Sequence, residues 1–418
     1  MHSEGFKAAF RQRPRDFTRN RVLTFAGLLA SQINRLSKSL SVEVSRFVER
    51  FFGPGLDCSK QAYSQYRAKL QYQAYTALNR RFVSTYYKDG EYLGWRGYVL
   101  LAGDSSTLQL PQSPELASAF GTVENKGWAM PLARLSLLYD TENKLVLEAL
   151  LASYASGEKD LLEEQLQGLW ALGLPAVCLL LDRGYPSLWL IALLQQRKTA
   201  FLMRCSHDFI PEVTSFANSC DREAMLEIDL RLGRRLKQER LQGYLEPGQT
   251  SLRVRVVKIV LPTGTEYLLT NLPHRLPLLG QLYNKRWGVE GELDFMKNAL
   301  EIENFSAKTE LGVRQDLHAA VLCANISAVL VAEAQRELDQ EQAGKGNAHR
   351  YQVNRAVALG LVKDNLVSLL LGTQPIERLY EGLKAKIKRR REAIKPGRKF
   401  KRKRHRGHKF KSNKRKVI

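Results

Sequence analysis

Apolar and polar positions change rhythm repeatedly along this chain. Up to about residue 95 the apolar residues recur at helical spacing: Leu28, Ile33 and Leu40, then Val44, Phe47 and Val48. Gly53–Pro54–Gly55 interrupts that pattern, and Ser59 is placed to cap a second helix running from Lys60 to Leu70 and beyond. From 96 to 205 strands alternate with helices. Tyr98–Leu110 reads as a strand, and Ala133–Tyr139 and Lys144–Ala149 as a pair flanking the turn Asp140–Thr141–Glu142–Asn143. Glu158–Leu172 predicts a helix, Ala176–Asp182 a short strand, Ser187–Arg197 a helix and Ala200–Arg204 the next strand. A strand apolar up to its final residue, as Ala176–Asp182 is, belongs in a sheet covered on both faces. Residues 206–274 alternate apolar and polar positions in Leu226–Leu232 and Leu252–Leu261, between Gly- and Pro-marked turns, and Tyr267–Thr270 is extended. Helices resume through Leu338, break at Gly344–Gly346 and return over Tyr351–Lys388. No internal repeat is visible.

Charge changes the picture at one end. The 418-residue chain carries a net +23, but residues 384–418 hold 19 Lys+Arg against one acid, Glu392. A segment with so few apolar residues is expected to stay disordered and to bind polyanions by releasing their counterions. The helical N-terminal region adds Arg67, Lys69, Arg80 and Arg81. It reads either as a helix-turn-helix-like DNA reader or as an ordinary helical subdomain, and the pattern does not choose. The most apolar stretch, Ala319–Ala332, contains Asn325 and Ser327 and reads as a buried helix, not a membrane span. Met1–Asn20 is basic and polar, without the apolar centre of a signal peptide. Five scattered cysteines without a CxxC pair point to a reducing compartment and away from a zinc site. The expected location is cytoplasmic, with no membrane partner.

Three acids carry the candidate chemistry. Asp104 ends the apolar run Gly97–Gly103, and Asp182 ends Val177–Leu181. Active sites in open α/β sheets lie at the C-terminal ends of strands, where both aspartates fall. Glu290 lies on a predicted helix in the string Tyr283–x2–Arg286–x3–Glu290–x6–Lys297. On one continuous helix these four share a face within about 60°. Two strand-end aspartates with a helical glutamate are the makings of a two-metal site for phosphodiester cleavage. The plain alternative for the helix is a solvated i, i+4 charge network. Asp294 falls near the same face as a decoy or alternate ligand. Asp104–Ser105–Ser106 lacks the His and Asp partners of a serine nucleophile. His207, His274 and His318 show no ligand spacing, and Glu158–Lys159–Asp160 reads as a helix start.

At these residues the chain resembles a DDE transposase of a bacterial insertion sequence, of the family-four type. In that subgroup the third acid sits in a Tyr-x2-Arg-x3-Glu-x6-Lys motif. Tyr283, Arg286, Glu290 and Lys297 match the spacing without a gap, while Gly-Asp-Ser-Ser-Thr at Asp104 and Leu-Asp-Arg-Gly-Tyr at Asp182 resemble the two aspartate motifs. The similarity covers most of residues 15–335.

The resemblance implies an α/β fold: a ribonuclease H-like core interrupted by a β-rich insertion, with an N-terminal helical domain and a basic disordered C-terminal tail. The expected divisions are 1–95, helical and DNA-binding; 96–205, first part of the core; 206–274, insertion; 275–343, second part of the core; 344–383, helical; and 384–418, tail. It implies a transposase that binds the ends of its own element, cleaves them and transfers the 3′-hydroxyl ends into target DNA. Asp104, Asp182 and Glu290 would hold two Mg²⁺, with Mn²⁺ able to substitute, while Tyr283, Arg286 and Lys297 hold DNA phosphates. The expected partners are double-stranded DNA, as element ends and as target, and a second copy of the chain bound on DNA. Some relatives stack a flipped base on an aromatic residue of the insertion. No tryptophan lies in 206–274, so that role would fall to Tyr244 or Tyr267. The other readings are a DNA-binding protein on the same scaffold that no longer cuts, and a related metal-dependent nuclease.

Overall fold

The computed structural model describes residues 1–395 apart from 20–21, 36–38, 90, 126–127, 234, 263, 347 and 374. The chain opens with helices α1 (Glu4–Phe10), α2 (Phe25–Ile33), α3 (Leu40–Phe52), α4 (Lys60–Arg67) and α5 (Gln73–Lys88). There follow β1 (Val99–Gln109), α6 (Pro114–Phe120), β2 (Thr122–Asn125), β3 (Trp128–Asp140), β4 (Leu145–Ser153), α7 (Glu158–Ala171), β5 (Val177–Leu181), α8 (Leu188–Gln196) and β6 (Ala200–Cys205). Next come α9 (Pro211–Asn218), β7 (Glu223–Asp229), α10 (Glu239–Gln242), β8 (Ser251–Leu261) and β9 (Gly264–Thr270). The chain continues with α11 (Leu276–Asn284), α12 (Trp287–Asn298), α13 (Glu310–Gln342), β10 (Tyr351–Val353), α14 (Arg355–Leu371), α15 (Ile376–Arg389) and β11 (Arg391–Ala393).

The main sheet runs β2-β3-β1-β5-β6-β9-β8-β7, with β4 paired to β3. β1, β5 and β6 are mutually parallel, and the strands on either side of them are antiparallel. The chain is therefore mixed α/β, built on one large mixed sheet. Residues 206–274 are rich in strand, and β9, β8 and β7 continue the core sheet from the edge of β6. Both faces are covered. One buries Leu100, Ala102, Cys178 and Leu180 under α11, α12 and α13. The other buries Val99, Leu101, Leu179 and Leu181 under α7 and α8. That double burial explains the unbroken apolar runs leading to both aspartates.

α13 is the central helix. It is long and apolar enough to cross a membrane, but 67% of that stretch is buried inside the protein, as a core helix must be. Its N-terminal turn also receives the amino-terminal helices. Asp316 accepts from Arg67 Nη2 at 2.7 Å and pairs with Arg35 at 2.5 Å. Burial alone would raise the Asp316 carboxyl, but Arg35 and Arg67 outweigh it and hold it below its ordinary range. Two expectations change here. Arg67 is buried against Asp316, and Arg80 pairs with the buried Glu148 at 2.9 Å, so neither belongs to a free basic surface.

The tail expectation is also corrected at its near end. Residues 384–389 complete α15, and β11 pairs with β10. Leu383, Lys384 and Ile387 share its buried side. Lys384 and Lys388 reach acids on α13, Glu337 at 2.8 and 3.0 Å, with Glu341 at 2.6 Å from Lys388. A helical spacing of apolar residues opposite a row of acids outweighed local charge repulsion. Residues 396–418 lie outside the described residues. All five cysteines are free thiols.

Replacing Asp316 by Ala would leave two guanidinium groups buried without their shared carboxylate, and should cost about 3–5 kcal/mol of stability. Urea unfolding of the purified variant checks this. A loss under 1 kcal/mol would mean that the network does not join the helical region to the core.

Candidate active site

β1 and β5 pair in parallel with Ala102 opposite Leu180. The pairing stops there, two residues short of Asp104, which lies inside β1, and of Asp182, which follows the last residue of β5; the two carboxylates are close enough to feel each other's charge. Side-chain alternation then decides the face. Asp104 is in phase with Leu100 and Ala102, so it projects toward the side covered by α12, while Asp182 begins the turn that leaves β5. α12 packs there through Val289, Leu293 and Met296 and carries the half-buried Glu290. Asp104 accepts the Ser105 N–H at 2.7 Å, and Asp182 accepts the Gly184 N–H at 2.8 Å.

Asp104 feels the accumulated charge. Burial pushes its carboxyl up to about 6; the Ser105 N–H and Arg286 oppose that rise, while Asp182 and Glu290 add to it. Glu290 is turned to Arg286, whose Nη2 donates to it at 2.7 Å. Among the described residues no three His, Cys, Asp or Glu side chains form a ready cage for a metal ion. The donor set still fits a hard divalent cation: oxygen ligands only, with one carboxyl driven toward protonation by burial and by its acidic neighbours.

Three of the four motif residues, Tyr283, Arg286 and Glu290, come together, but not on one helix. α11 ends at Asn284 and α12 begins at Trp287. Backbone bonds of the i to i−3 type at Arg286, Gly288 and Val289 tighten the joint. The Arg286 guanidinium lies 5.8 Å from the Tyr283 ring centroid, and burial pushes the Tyr283 hydroxyl up to about 12. Lys297 Nζ donates to Ser106 Oγ at 2.6 Å and to the Thr107 carbonyl at 2.8 Å, stapling α12 to β1 beyond Asp104. Burial lowers its pKa. Asp294 is exposed and accepts from Asn298 at 2.7 Å, so it stands apart as the decoy.

Several side chains that position the site are not marked by any motif. Glu292, fully buried, is ion-paired at 2.7 Å with Arg355 of α14, and the buried Tyr139 hydroxyl bonds to the same carboxylate. A Cβ on Gly288 would lie 3.3 Å from Thr141, so only glycine lets the α12 backbone sit this close to the β3–β4 turn without displacing it. Lys285 pairs with Glu142 of that turn at 2.8 Å. An acid two residues after Glu290 on an otherwise apolar face was the one available signal. Its partner, 63 residues away, had none. Of the histidines, His318 stacks on Tyr72 and is pushed down to about 3 by burial. His274 packs edge-on against Trp95, and His207 is exposed.

Asp104 thus lies within β1, not at its end as expected, and Asp182 just past β5; with Glu290 of α12 over the same sheet, three carboxylates come to one region. Residues 95–326 match the transposase DDE domain family, more than half of the chain, and this chain belongs to that family. It is a transposase, an enzyme that cleaves DNA, and members of its family generally use divalent metal ions. No curated protein matches the chain. Among solved structures, a chain of the piggyBac transposase synaptic complex with hairpin DNA is similar at TM-score 0.42 and 13% identity, over 88% of this chain and 78% of that one. A likeness of that size supports no argument about this chain.

The raised Asp104 pKa has a definite sign. Its proton is held more tightly in the folded chain, at about 6, than at the ordinary 3.8. Without divalent cations, stability should therefore fall as pH rises from about 4 to about 6 and level off above. Asp104→Asn should remove that slope and raise the Tm at pH 7. A lower Tm at pH 7 with the slope intact would contradict the burial argument.

Proposed function

We propose that this transposase binds the ends of its own insertion sequence, cleaves them with Asp104, Asp182 and Glu290 as ligands of two Mg²⁺, and transfers the 3′-hydroxyl ends into target DNA. The observation that supports this reading is the mutual electrostatic influence of the three acids: Asp104 feels the charges of Asp182 and Glu290 where β1 and β5 run in parallel under α12. When bound, the metal ions supply an activated oxygen nucleophile and stabilise the leaving oxygen of an in-line displacement.

The chain's own groups do the holding. Asp104 stands within the rigid strand β1 and Asp182 directly after β5, so little ordering remains to be done when substrate arrives. Arg286 holds Glu290 and the Tyr283 ring in one cluster, and it is the cation best placed to exchange that carboxylate for a DNA phosphate. Lys297 fixes the far end of α12 and contributes positive charge where the DNA backbone would pass. The base-stacking role shifts from the insertion. Tyr267 is half-buried against Phe216, and Tyr244 packs beside Trp189. Trp287, directly after Arg286, is 55% exposed and offers a free indole face beside the site. The protein is expected to act as a dimer on paired ends. The segment beyond residue 395 adds sequence-independent affinity.

The second reading, a scaffold that binds DNA without cutting, draws on one observation: Glu290 is tied to Arg286 and not aimed with the aspartates. Labelled element-end DNA, incubated with and without Mg²⁺ beside Glu290→Ala, separates the two. Metal-dependent nicking at the end, reduced at least about a hundredfold in the variant, is the expected outcome. Tight binding with no nicking in Mg²⁺ or Mn²⁺ would favour the scaffold. Deleting 396–418 removes 12 Lys+Arg. It should weaken DNA binding and flatten its salt dependence, and an unchanged slope would remove the tail from the DNA interface.

A further inference from the structure

One acid near the site is absorbed by none of the motifs. Glu158 opens α7, which packs on the opposite sheet face from α12. Its Oε1 accepts from Ser105 Oγ at 2.5 Å and from Arg134 Nη1 at 2.7 Å. Its other oxygen faces Gly184. A Cβ built on Gly184 would lie 3.1 Å from Asp182 Oδ1 and 3.4 Å from Glu158 Oε2, so the two carboxylates border the same small volume. Glycine at 184 keeps that volume open.

A second observation points to a ligand there. Tyr185 is 1% exposed, and its hydroxyl has no hydrogen-bond partner. That hydroxyl lies 4.0 Å from where a Cβ on Gly103 would stand, next to Asp104, and it feels the charges of Asp104, Glu158, Asp182 and Arg134. Arg134 Nε is likewise buried without a partner. Buried polar groups are almost always paired, so an orphan hydroxyl among three carboxylates marks a site that a ligand completes.

The charge balance says which kind. Asp104, Asp182, Glu158 and Glu290 face two guanidinium groups, Arg134 on Glu158 and Arg286 on Glu290. The nearby lysines are spent elsewhere, Lys297 on β1 and Lys159 on the Pro186 carbonyl at 2.8 Å. An excess of oxygen donors and negative charge suits a divalent cation. The ordinary role of an acid in the first turn of a helix, offsetting the helix dipole, is already served in α7 by Asp160.

We infer that Glu158 is a fourth carboxylate of the active site, which leaves Arg134 to share a divalent cation with Asp182, beside the Tyr185 hydroxyl. The inference rests on the assignment of Asp104 and Asp182 as metal ligands. Glu158 is then a ligand of the cofactor, and Arg134 holds it while no cation is bound.

The test is Mn²⁺ binding to the full chain without DNA, read by electron paramagnetic resonance of the free ion. Wild type is compared with Glu158→Gln, Asp182→Asn, Arg134→Gln and, as a surface control, Asp160→Asn. Circular dichroism melts in EDTA establish that each is folded. Both Glu158→Gln and Asp182→Asn should weaken Mn²⁺ about tenfold or more, with Asp160→Asn unchanged. Arg134→Gln, which frees Glu158, should tighten binding, and it decides the matter should Glu158→Gln fail to fold. Weakening in Asp182→Asn alone, or weaker binding in Arg134→Gln, overturns the role of Glu158 and leaves the site standing. Unchanged binding in both Asp182→Asn and Glu158→Gln overturns the metal assignment itself.

Discussion

The parallel pairing of β1 with β5 is the constraint on which the site depends. Two strands buried on both faces cannot slip by one residue without moving a whole set of Leu, Val and Cys side chains to the wrong side. That rigidity is what allows two aspartates, which repel each other, to be held near one another, one within β1 and one just past β5. The apolar runs Val99–Ala102 and Val177–Leu181 supply the burial, and Asp104 and Asp182 come one step or two beyond it. The strain of like charges is accepted because the sheet, and not the site, determines where the backbone goes.

The third acid is placed by different means. α12 has no strand register to obey, so its rotation and height are fixed by contacts along its length. Gly288 and Lys285 meet the β3–β4 turn, Glu292 meets Arg355 and Tyr139, and Lys297 meets Ser106. Glu290 lies among these fixed points, half-exposed and paired with Arg286. Such a helix is rigid as a body while the side chain that matters keeps freedom to turn.

Strand and helix positions were legible because burial on both faces leaves a one-dimensional trace. Tyr98–Leu110 became Val99–Gln109, and Glu158–Leu172 became Glu158–Ala171. The motif string was legible as spacing. The break at Lys285–Arg286 was not, because both residues keep helical dihedrals and only the hydrogen-bond pattern changes. The fate of positive charge was illegible for a related reason. Arg67 and Lys384 look like their exposed neighbours until the acids opposite, Asp316 and Glu337, are brought to them from distant parts of the chain. Glu158 read only as a helix start, since nothing local shows that its carboxylate meets Ser105 and Arg134 and borders Gly184.

The Glu292–Arg355 pair also dictates an order of events during synthesis. A ribosome releases the strands, both aspartates and the glutamate helix well before residue 355 emerges, and domains tend to fold as their segments appear. Until then a buried carboxylate on α12 has no counter-charge, and burying it alone is unfavourable. The helix can therefore settle only once the C-terminal helices have left the tunnel. A nascent chain that has not yet released residue 355 would carry every motif of the site and yet lack its final geometry.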